Sequence, residues 1–379
     1  MTTFAAIADK VRAGARIDEA EALVLFAHPD LLALGELAQT VNERKNGRRV
    51  FFNVNRHINH TNICVNRCRF CAFYRTADQP GAYLMTLDEV RAKAEEALTQ
   101  GATEIHVVGG LHPELPFEFY LELLKTIRSV SPTLHVKAFT AVEIAYLAKL
   151  AGAPIPETLE RLKEAGLGSL PGGGAEIFAP AVRDQLCPEK ISGAAWLSIM
   201  EQVHQAGLKS NATMLYGHLE SVADRVDHMR QLRELQDRTG GFQVFIPLAF
   251  QPEHSELKVG SGTSGVDDLR TLAVARIYLD NFANVKAYWV MLGEKIAQVA
   301  LSFGVNDLDG TVVEERIGHD AGADSPQTMS RDAIVSLIRK AGRVPVERDT
   351  LYRELKATRG NREGISTRPA SPARQGTAC

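Results

Sequence analysis

The sequence has no long apolar run and no strong excess of charge of either sign. No stretch approaches the roughly 18 apolar residues of a membrane span, so we expect none. The 43 basic and 46 acidic residues argue against a strongly basic nucleic-acid binder and against an acidic disordered chain. The first ten residues lack the basic head and long apolar body of a signal peptide. We therefore expect a soluble cytoplasmic protein that binds neither nucleic acid nor a membrane.

Cysteine is also scarce, with five residues in 379: Cys64, Cys68, Cys71, Cys187 and Cys379. The number is odd and three of them fall within eight residues, whereas secreted disulfide frameworks spread an even number over a short chain. This distribution indicates a reducing compartment and one thiolate cluster. We expect Cys187 to be a small buried residue and Cys379 a thiol in the tail.

No internal repeat, P-loop or Rossmann fingerprint is present, and the chain instead alternates extended apolar runs with amphipathic helix patterns. Such alternation predicts parallel strands joined by helical crossovers. The sequence predicts eight strands, at 55–62, 104–109, 135–139, 168–170, 210–215, 242–249, 285–291 and 308–312. This pattern predicts an α/β fold, a complete or near-complete (β/α)₈ TIM-type barrel. The alternative is a six-stranded barrel with two added strands.

The barrel is expected at 51–313, preceded by helices at 1–50 and followed by a helical closure at 314–356. From residue 357 the composition changes to Gly, Ser, Pro and Arg with few apolar groups, which predicts a disordered tail at 357–379. In a barrel of this type the chemistry lies at the carboxyl ends of the strands.

The three clustered cysteines follow the first predicted strand with the spacing C-x₃-C-x₂-C, at Cys64, Cys68 and Cys71. Three thiolates on one tight loop can each bind one iron of a [4Fe–4S] cubane, which leaves the fourth iron without a protein ligand. That iron can bind the amino and carboxylate groups of a small molecule. The alternative is a zinc site with His57 or His60 as fourth ligand, although structural zinc sites usually use two well-separated pairs of ligands.

This loop resembles that of the radical S-adenosylmethionine (SAM) enzymes, whose signature C-x₃-C-x-aromatic-C is matched by Cys64, Cys68, Phe70 and Cys71. The resemblance implies that these cysteines hold a [4Fe–4S] cluster and that the open iron binds SAM. One electron from the cluster then releases methionine and a 5′-deoxyadenosyl radical. A small-molecule substrate and an electron donor such as a flavodoxin or ferredoxin are implied as partners.

The resemblance also implies cofactor contacts outside the cysteine loop. Gly109 and Gly110, after the second strand, resemble the glycine motif that meets the SAM amino group, because glycine lets the backbone approach a ligand closely. Phe70 is placed beside the adenine. Glu143 and Glu176 are implied as contacts to the amine or ribose. For each of these the sequence alone also allows a plain structural role, such as a turn or a helix N-terminal charge.

The resemblance extends beyond the cysteine loop, from about residue 50 to residue 350. Over this range the sequence resembles the menaquinone enzymes of the futalosine route and the deazaflavin cofactor enzymes. This resemblance is carried by HINHTN at 57–62, GGLHP at 109–113, LPGGGAE at 170–176 and ATMLYGH at 212–218. Within that group, KAFTA at 137–141, SNATM at 210–214, AYWVMLG at 287–293 and DLDGTV at 307–312 are most similar to the aminofutalosine synthases.

These relatives imply a carbon–carbon bond-forming transfer of the adenosyl group to 3-[(1-carboxyvinyl)oxy]benzoate, with aryl migration and loss of bicarbonate, giving 6-amino-6-deoxyfutalosine. The alternatives within the group are the cyclic dehypoxanthine futalosine synthase and the deazaflavin-precursor synthase. An iron–sulfur sensor or a structural zinc protein is the alternative from another class.

The substrate of these relatives has two carboxylates, so the pocket needs basic groups. Basic candidates at strand ends and on the cysteine loop are His57, His60, Arg75, His112, Lys137 and His218. Of these, His218, His60 and Arg75 are predicted as catalytic, with His218 as acid or base. Asp309 and Glu314 are candidates to order a water molecule, and Gly172–Gly174 can cradle a ligand.

Overall fold

A computed structural model describes residues 2–257, 259–260 and 262–355. The helices are α1 Phe4–Arg12, α2 Glu19–Ala27, α3 Leu31–Asn46, α4 Leu87–Thr99, α5 Phe117–Val130, α6 Ala141–Ala151, α7 Ile155–Ala165, α8 Pro180–Leu186, α9 Gly193–Gln205, α10 Val222–Thr239, α11 Gly265–Tyr278, α12 Trp289–Ala300, α13 Ile317–Asp320 and α14 Arg331–Lys340. The strands are β1 Arg49–Asn53, β2 Asn55–Ile58, β3 Glu104–Val107, β4 His135–Ala138, β5 Ser169–Leu170, β6 Lys209–Tyr216, β7 Phe242–Ala249, β8 Asn284–Val285, β9 Asp307–Gly310 and β10 Val344–Glu347.

The central feature is a parallel barrel. Strands β2 to β8 pair in sequence order, all parallel. The eighth strand, β9, joins β8 through the backbone bond from Ala287 N to Asp307 O (3.0 Å). The chain just after β9 returns to β2 through the bond from His57 N to Val313 O (2.9 Å). The predicted (β/α)₈ architecture is therefore confirmed. The barrel closes through two isolated β-bridges, between Lys286 and Asp307 and between Arg56 and Val313, rather than through continuous strand pairing.

A second small sheet, in the order β10-β1-β9, was not predicted. Strand β1 leads into β2 on the amino-terminal side of the barrel, and β10 lies in the C-terminal extension that the sequence predicts as helical. The buried Arg348, which follows β10, contacts Asp307 of β9 at 2.8 Å. These short strands were missed because neither alternates clearly between polar and apolar residues.

Two predicted strands are shorter in the structure by four residues or more. The strand predicted at 285–291 ends at Val285, and helix α12 begins at Trp289. A continuous apolar run does not distinguish a buried strand from a buried helix. The strand predicted at 55–62 ends at Ile58, because the next residues leave the sheet and Asn59 instead donates a side-chain hydrogen bond to Val108 O (2.8 Å).

Helices α1 to α3 form the predicted N-terminal segment, and α3 packs along α11 on the outside of the barrel. A capping box precedes α4, since Thr86 and Glu89 exchange hydrogen bonds of 2.7 and 3.2 Å. None of the helices in the described residues is both long and apolar enough to cross a membrane. The segment 357–379, for which the sequence predicts disorder, lies outside the described residues.

Candidate active site

A cavity of about 290 Å³ opens at the carboxyl ends of the barrel strands. Its rim is formed by the loop 59–75 and by the turns after β3 and β5. Because side chains alternate along a strand, Asn211, Thr213 and Leu215 of β6 line it at successive depths. The cavity therefore lies where a (β/α)₈ fold places its chemistry.

The three clustered cysteines all line this cavity from the rim. Their loop is held by backbone bonds from Cys64 N to Arg75 O (3.1 Å) and from Arg75 N to Asn62 O (2.8 Å). Burial raises the pKa of the Cys68 thiol to about 12 and also raises the pKa of Cys71. Buried thiols bind as thiolates when a metal charge compensates for their desolvation, so binding of a metal cluster at this loop would be coupled to loss of the thiol protons.

Gly110 is packed directly against the cysteine loop. A Cβ atom at Gly110 would lie 2.2 Å from Ile63 O, and one at Gly109 would lie 2.4 Å from the His60 ring. The Gly109 N–H donates to Glu143 Oε1 (3.2 Å). The glycine pair lines the cavity, but the close approach that the structure shows is to protein backbone and to His60.

Glu143 lies deep in the wall, at the start of α6. Its Oε2 accepts the Thr140 N–H at 2.6 Å in a capping box. Burial outweighs these hydrogen bonds and raises the pKa of Glu143 to about 7. This carboxyl group can therefore gain or lose a proton near neutral pH.

A second acidic residue, Glu176, pairs with Lys190 on the rim, with Nζ 2.6 Å from Oε1. Burial disfavours the carboxylate, but the Lys190 charge prevails and lowers the pKa of Glu176. The Lys190 ammonium also lies 5.0 Å from the centre of the Phe70 ring. Phe70, Glu176 and Lys190 thus form one contiguous wall beside the cysteines.

The inner end of the cavity, which we call the floor, is polar. It consists of His57, His106, Asn211, Tyr288, Asp309 and Glu315. Above the floor the wall is apolar and is formed by Val108, Leu215, Ile246 and Leu248. The cavity therefore has a cysteine-bearing rim, an apolar middle and a polar inner end.

Comparisons with known proteins identify the family of this chain. Residues 58–232 match the radical SAM superfamily and residues 239–360 match the CofH/MqnC C-terminal region. The chain is 48% identical over 354 residues to the aminodeoxyfutalosine synthase of Thermus thermophilus, covering 92% of this chain and 95% of that protein. The chain belongs to the radical SAM superfamily.

A second relative carries a different name. The 5-amino-6-(D-ribitylamino)uracil–L-tyrosine 4-hydroxyphenyl transferase of Methanopyrus kandleri is 48% identical over 315 residues, covering 82% of this chain and 85% of that one. Among solved structures, the FeFe-hydrogenase maturase HydG from Carboxydothermus hydrogenoformans has a TM-score of 0.72 at 19% identity, covering 92% and 80% of the two chains. Methylornithine synthase (PylB) has a TM-score of 0.68 at 18% identity, covering 89% and 97%.

As a radical SAM enzyme the protein uses a [4Fe–4S] cluster and SAM, and the rim fits both. Each cysteine of the motif would bind a different iron of a cubane, so the thiols need only share one wall of the cavity. No three His, Cys, Asp or Glu side chains in the described ranges converge as ligands of a single metal ion.

The structure places the three residues predicted as catalytic outside the cavity lining. His218 Nε2 lies 3.0 Å from Leu215 O and its ring is fully buried. His60 is buried among Phe119, Tyr120 and Gly109, and burial lowers its pKa to about 4. Arg75 donates to the carbonyls of Ala72 and Tyr74 (2.8 and 2.7 Å).

These contacts give each of the three residues a structural role, and the catalytic roles predicted for them stay predictions. His218 is turned back because Gly217, at φ +90°, reverses the chain after β6. Arg75 closes the cysteine loop on itself. His60 fills the space beside Gly109.

Three further candidates also lie off the cavity lining. Lys137 is 2.8 Å from Glu104, and both are almost fully buried. His112 accepts the Glu114 N–H at 3.2 Å. Glu314 pairs with Lys93 and Arg56 at 2.6 and 3.0 Å on the outside of the barrel. Of the remaining candidates, His57, Asp309 and Gly172–Gly174 do line the cavity.

Sequence reasoning missed His106, Asn211 and Lys190. The first two lie on strands at inward positions, and alternation from Glu104 and Thr213 would have found them. Lys190 lies in the loop after α8, where nothing in the sequence indicates that it returns to the rim.

Proposed function

We propose that the protein is an aminodeoxyfutalosine synthase, which joins the adenosyl group of SAM to 3-[(1-carboxyvinyl)oxy]benzoate. The observation that carries this proposal is the 48% identity to the Thermus thermophilus enzyme over 92% of this chain and 95% of that protein. The Streptomyces coelicolor enzyme of the same name is 42% identical over 93% of this chain. The hydroxyphenyl transferase of Methanopyrus kandleri reaches the same identity over a smaller share of both chains.

In this proposal Cys64, Cys68 and Cys71 hold the cluster. When bound, the cluster and SAM supply the 5′-deoxyadenosyl radical that adds to the enol-ether carbon. Glu143 and Glu176 line the same cavity as the cysteines and can accept hydrogen bonds from the SAM amine or ribose. Lys190 balances the Glu176 charge, and Phe70 offers a ring for the adenine.

The apolar middle of the cavity supports the second half of the proposal. Leu215, Ile246 and Leu248 offer an aromatic substrate a dry surface between the rim and the floor. Exclusion of water protects a carbon radical from side reactions. The floor then supplies the polar contacts that orient the substrate.

The deciding experiment is product analysis with the anaerobically reconstituted protein. With SAM and 3-[(1-carboxyvinyl)oxy]benzoate we expect 6-amino-6-deoxyfutalosine and methionine in equal amounts, with reductant needed mainly for priming. Separate incubations contain dehypoxanthine futalosine, or L-tyrosine with 5-amino-6-(D-ribitylamino)uracil. A product only in one of those incubations would replace the proposal with the corresponding alternative. Mainly 5′-deoxyadenosine from the enol ether would contradict addition chemistry.

We further propose that a flavodoxin or ferredoxin donates the electron at the cysteine loop and that the enzyme works in the cytoplasm. Arg67 and Arg69 are exposed on that loop, and their positive charges complement an acidic donor. Exchanging both for Glu should slow turnover driven by flavodoxin but not turnover driven by dithionite. Equal slowing with both reductants would argue against docking at this loop.

A further inference from the structure

Two neighbouring histidines lie on the cavity floor. His57 of β2 and His106 of β3 are neighbours in register, and their ring centroids lie 4.4 Å apart at an interplanar angle of 33°. His57 is only 7% exposed, and its Nε2 has no hydrogen-bond partner in the described residues. A buried polar nitrogen without a partner is costly, so such an atom on a side chain that lines a cavity points to a ligand.

We propose that His57 and His106 form a carboxylate subsite that holds the aryl carboxylate of the substrate at the inner end of the cavity. This inference rests on the proposed function and adds to it the position and recognition of the benzoate group. The benzoate carboxylate is retained in the product, whereas the enol-ether carboxylate is lost. Anchoring the retained group on the floor leaves the enol ether towards the rim, where the cysteines lie.

The other cationic groups near the cavity are already engaged. Among the described residues that line it, the side chains able to carry a positive charge are His57, His106 and Lys190. Lys190 is bound to Glu176 at 2.6 Å on the rim. A carboxylate at the inner end is therefore matched by the histidine pair.

The two lysines beneath the floor are engaged as well. Lys137 is 2.8 Å from Glu104, and Lys286 is 3.0 Å from Asp309. Both lysines are almost fully buried and neither lines the cavity. Their charges balance the neighbouring acids and so are not available to a ligand.

The acidic residues of the floor do not repel such a ligand, because each is paired. Asp309 is bound to Lys286, and Glu315 lies 3.2 Å from His319 Nδ1. The Glu315 carboxylate raises the pKa of His319 to about 9, so this partner is charged at neutral pH. The floor can therefore accept one further negative charge.

Binding of that charge should be coupled to uptake of a proton. In the empty cavity burial lowers the pKa of both histidines, so they are neutral at neutral pH. The charged groups that face them are Glu104 of β3, Lys137 of β4, Asp309 of β9 and Glu315 after β9. An incoming carboxylate favours the protonated imidazole and strengthens the hydrogen bond to it.

The test compares 3-[(1-carboxyvinyl)oxy]benzoate with 3-[(1-carboxyvinyl)oxy]benzamide, which lacks only the aryl charge. Binding to the cluster-loaded enzyme is measured by calorimetry without SAM, in buffers of different ionisation enthalpy. We expect the benzoate to bind at least about tenfold more tightly than the amide and to take up a proton. Equal affinities would overturn the proposal without the use of any variant.

Two single variants test whether His57 and His106 contact the aryl carboxylate. His57→Gln and His106→Gln should weaken benzoate binding by about ten- to a hundredfold while leaving amide binding nearly unchanged. His112→Gln serves as the matched control, because His112 does not line the cavity. Iron content and melting temperature report whether each variant folds and holds the cluster.

Unchanged benzoate affinity in both histidine variants, or no detectable benzoate binding by the parent, would overturn the subsite. These results are distinct from failure of the proposed function. A protein that binds the benzoate through His57 but forms no futalosine product would retain the subsite and lose the activity. A protein that forms the product with equal affinity for acid and amide would retain the activity and lose the subsite.

Discussion

The contact between Gly110 and the cysteine loop gives the sharpest test of how the fold builds the cluster site. In Gly110→Ala the new Cβ would lie 2.2 Å from Ile63 O, 2.7 Å from Ile63 C and 3.1 Å from Asn62 C. These are backbone atoms of the loop that carries Cys64, so no side-chain rotation relieves the overlap. The added methyl group must displace either the end of β3 or the cysteine loop.

The expected loss of stability in Gly110→Ala follows from these distances. Ordinary contact begins at 3.4 Å, so one of the two backbones must move by about 1.2 Å. Such a movement strains the bonds from Gly110 N to Thr61 O and from Arg75 N to Asn62 O, both 2.8 Å. Overpacking and two weakened hydrogen bonds should together destabilise the protein by about 2–6 kcal/mol.

The assay measures iron and acid-labile sulfide per chain after anaerobic reconstitution, together with the melting temperature of the unloaded protein. We expect Gly110→Ala to melt several degrees below the parent and to incorporate little cluster. Gly265→Ala is the matched control, because its Cβ would meet only the tip of the Ile296 side chain, which can rotate. Full cluster incorporation and an unchanged melting temperature in Gly110→Ala would refute the reasoning.

Three further predictions concern buried charges. Lys137→Met leaves Glu104 buried and unpaired and should cost about 3–5 kcal/mol in denaturant unfolding, most of it regained by adding Glu104→Gln. Burial raises the pKa of Glu143 to about 7 from 4.5, so its stabilising contribution is complete below about pH 4.5 and is lost as pH rises through 7. The melting temperature of Glu143→Gln should therefore approach that of the parent between about pH 5 and pH 8. The hydrogen bond to Glu315 raises the pKa of His319 to about 9 from 6.5, so the parent should lose stability from about pH 6.5 to pH 9 more steeply than His319→Asn.

Each of these has a result that would contradict it. A Lys137→Met protein as stable as the parent would mean that the Glu104 charge is relieved in another way. A melting temperature of Glu143→Gln that falls further below that of the parent as pH rises would reverse the inferred sign of the Glu143 contribution. If stability falls equally with pH in the parent and in His319→Asn, the Glu315–His319 ion pair does not cause the fall.

Much of the fold could be predicted from the sequence because its strands are short buried runs separated by amphipathic helices. The periodicity identified the eight parallel strands of the barrel. It did not find β1 and β10, which are recognisable only by their pairing partners. It overextended the strand at 285–291, because in an apolar run burial by a helix and burial by a strand look alike.

The candidate site, like the fold, could be predicted only in part from the sequence. The cysteine spacing is local, so one short segment was enough to predict a cluster loop and a family resemblance. The catalytic residues were predicted from their position near strand ends, and His218 shows why this was insufficient. The direction of its ring is determined by the turn at Gly217 and by Leu215 O and Glu220, none of which a motif describes.

The sequence by itself therefore determined the parallel (β/α) pattern and the three-cysteine loop, because both depend on residues close together along the chain. Only the tertiary structure decided which side chains meet in the cavity. It placed His218, His60 and Arg75 off the cavity lining and His106 and Lys190 on it. The physical reason is that strand alternation and loop return paths, fixed by packing across the whole barrel, set the direction of each side chain.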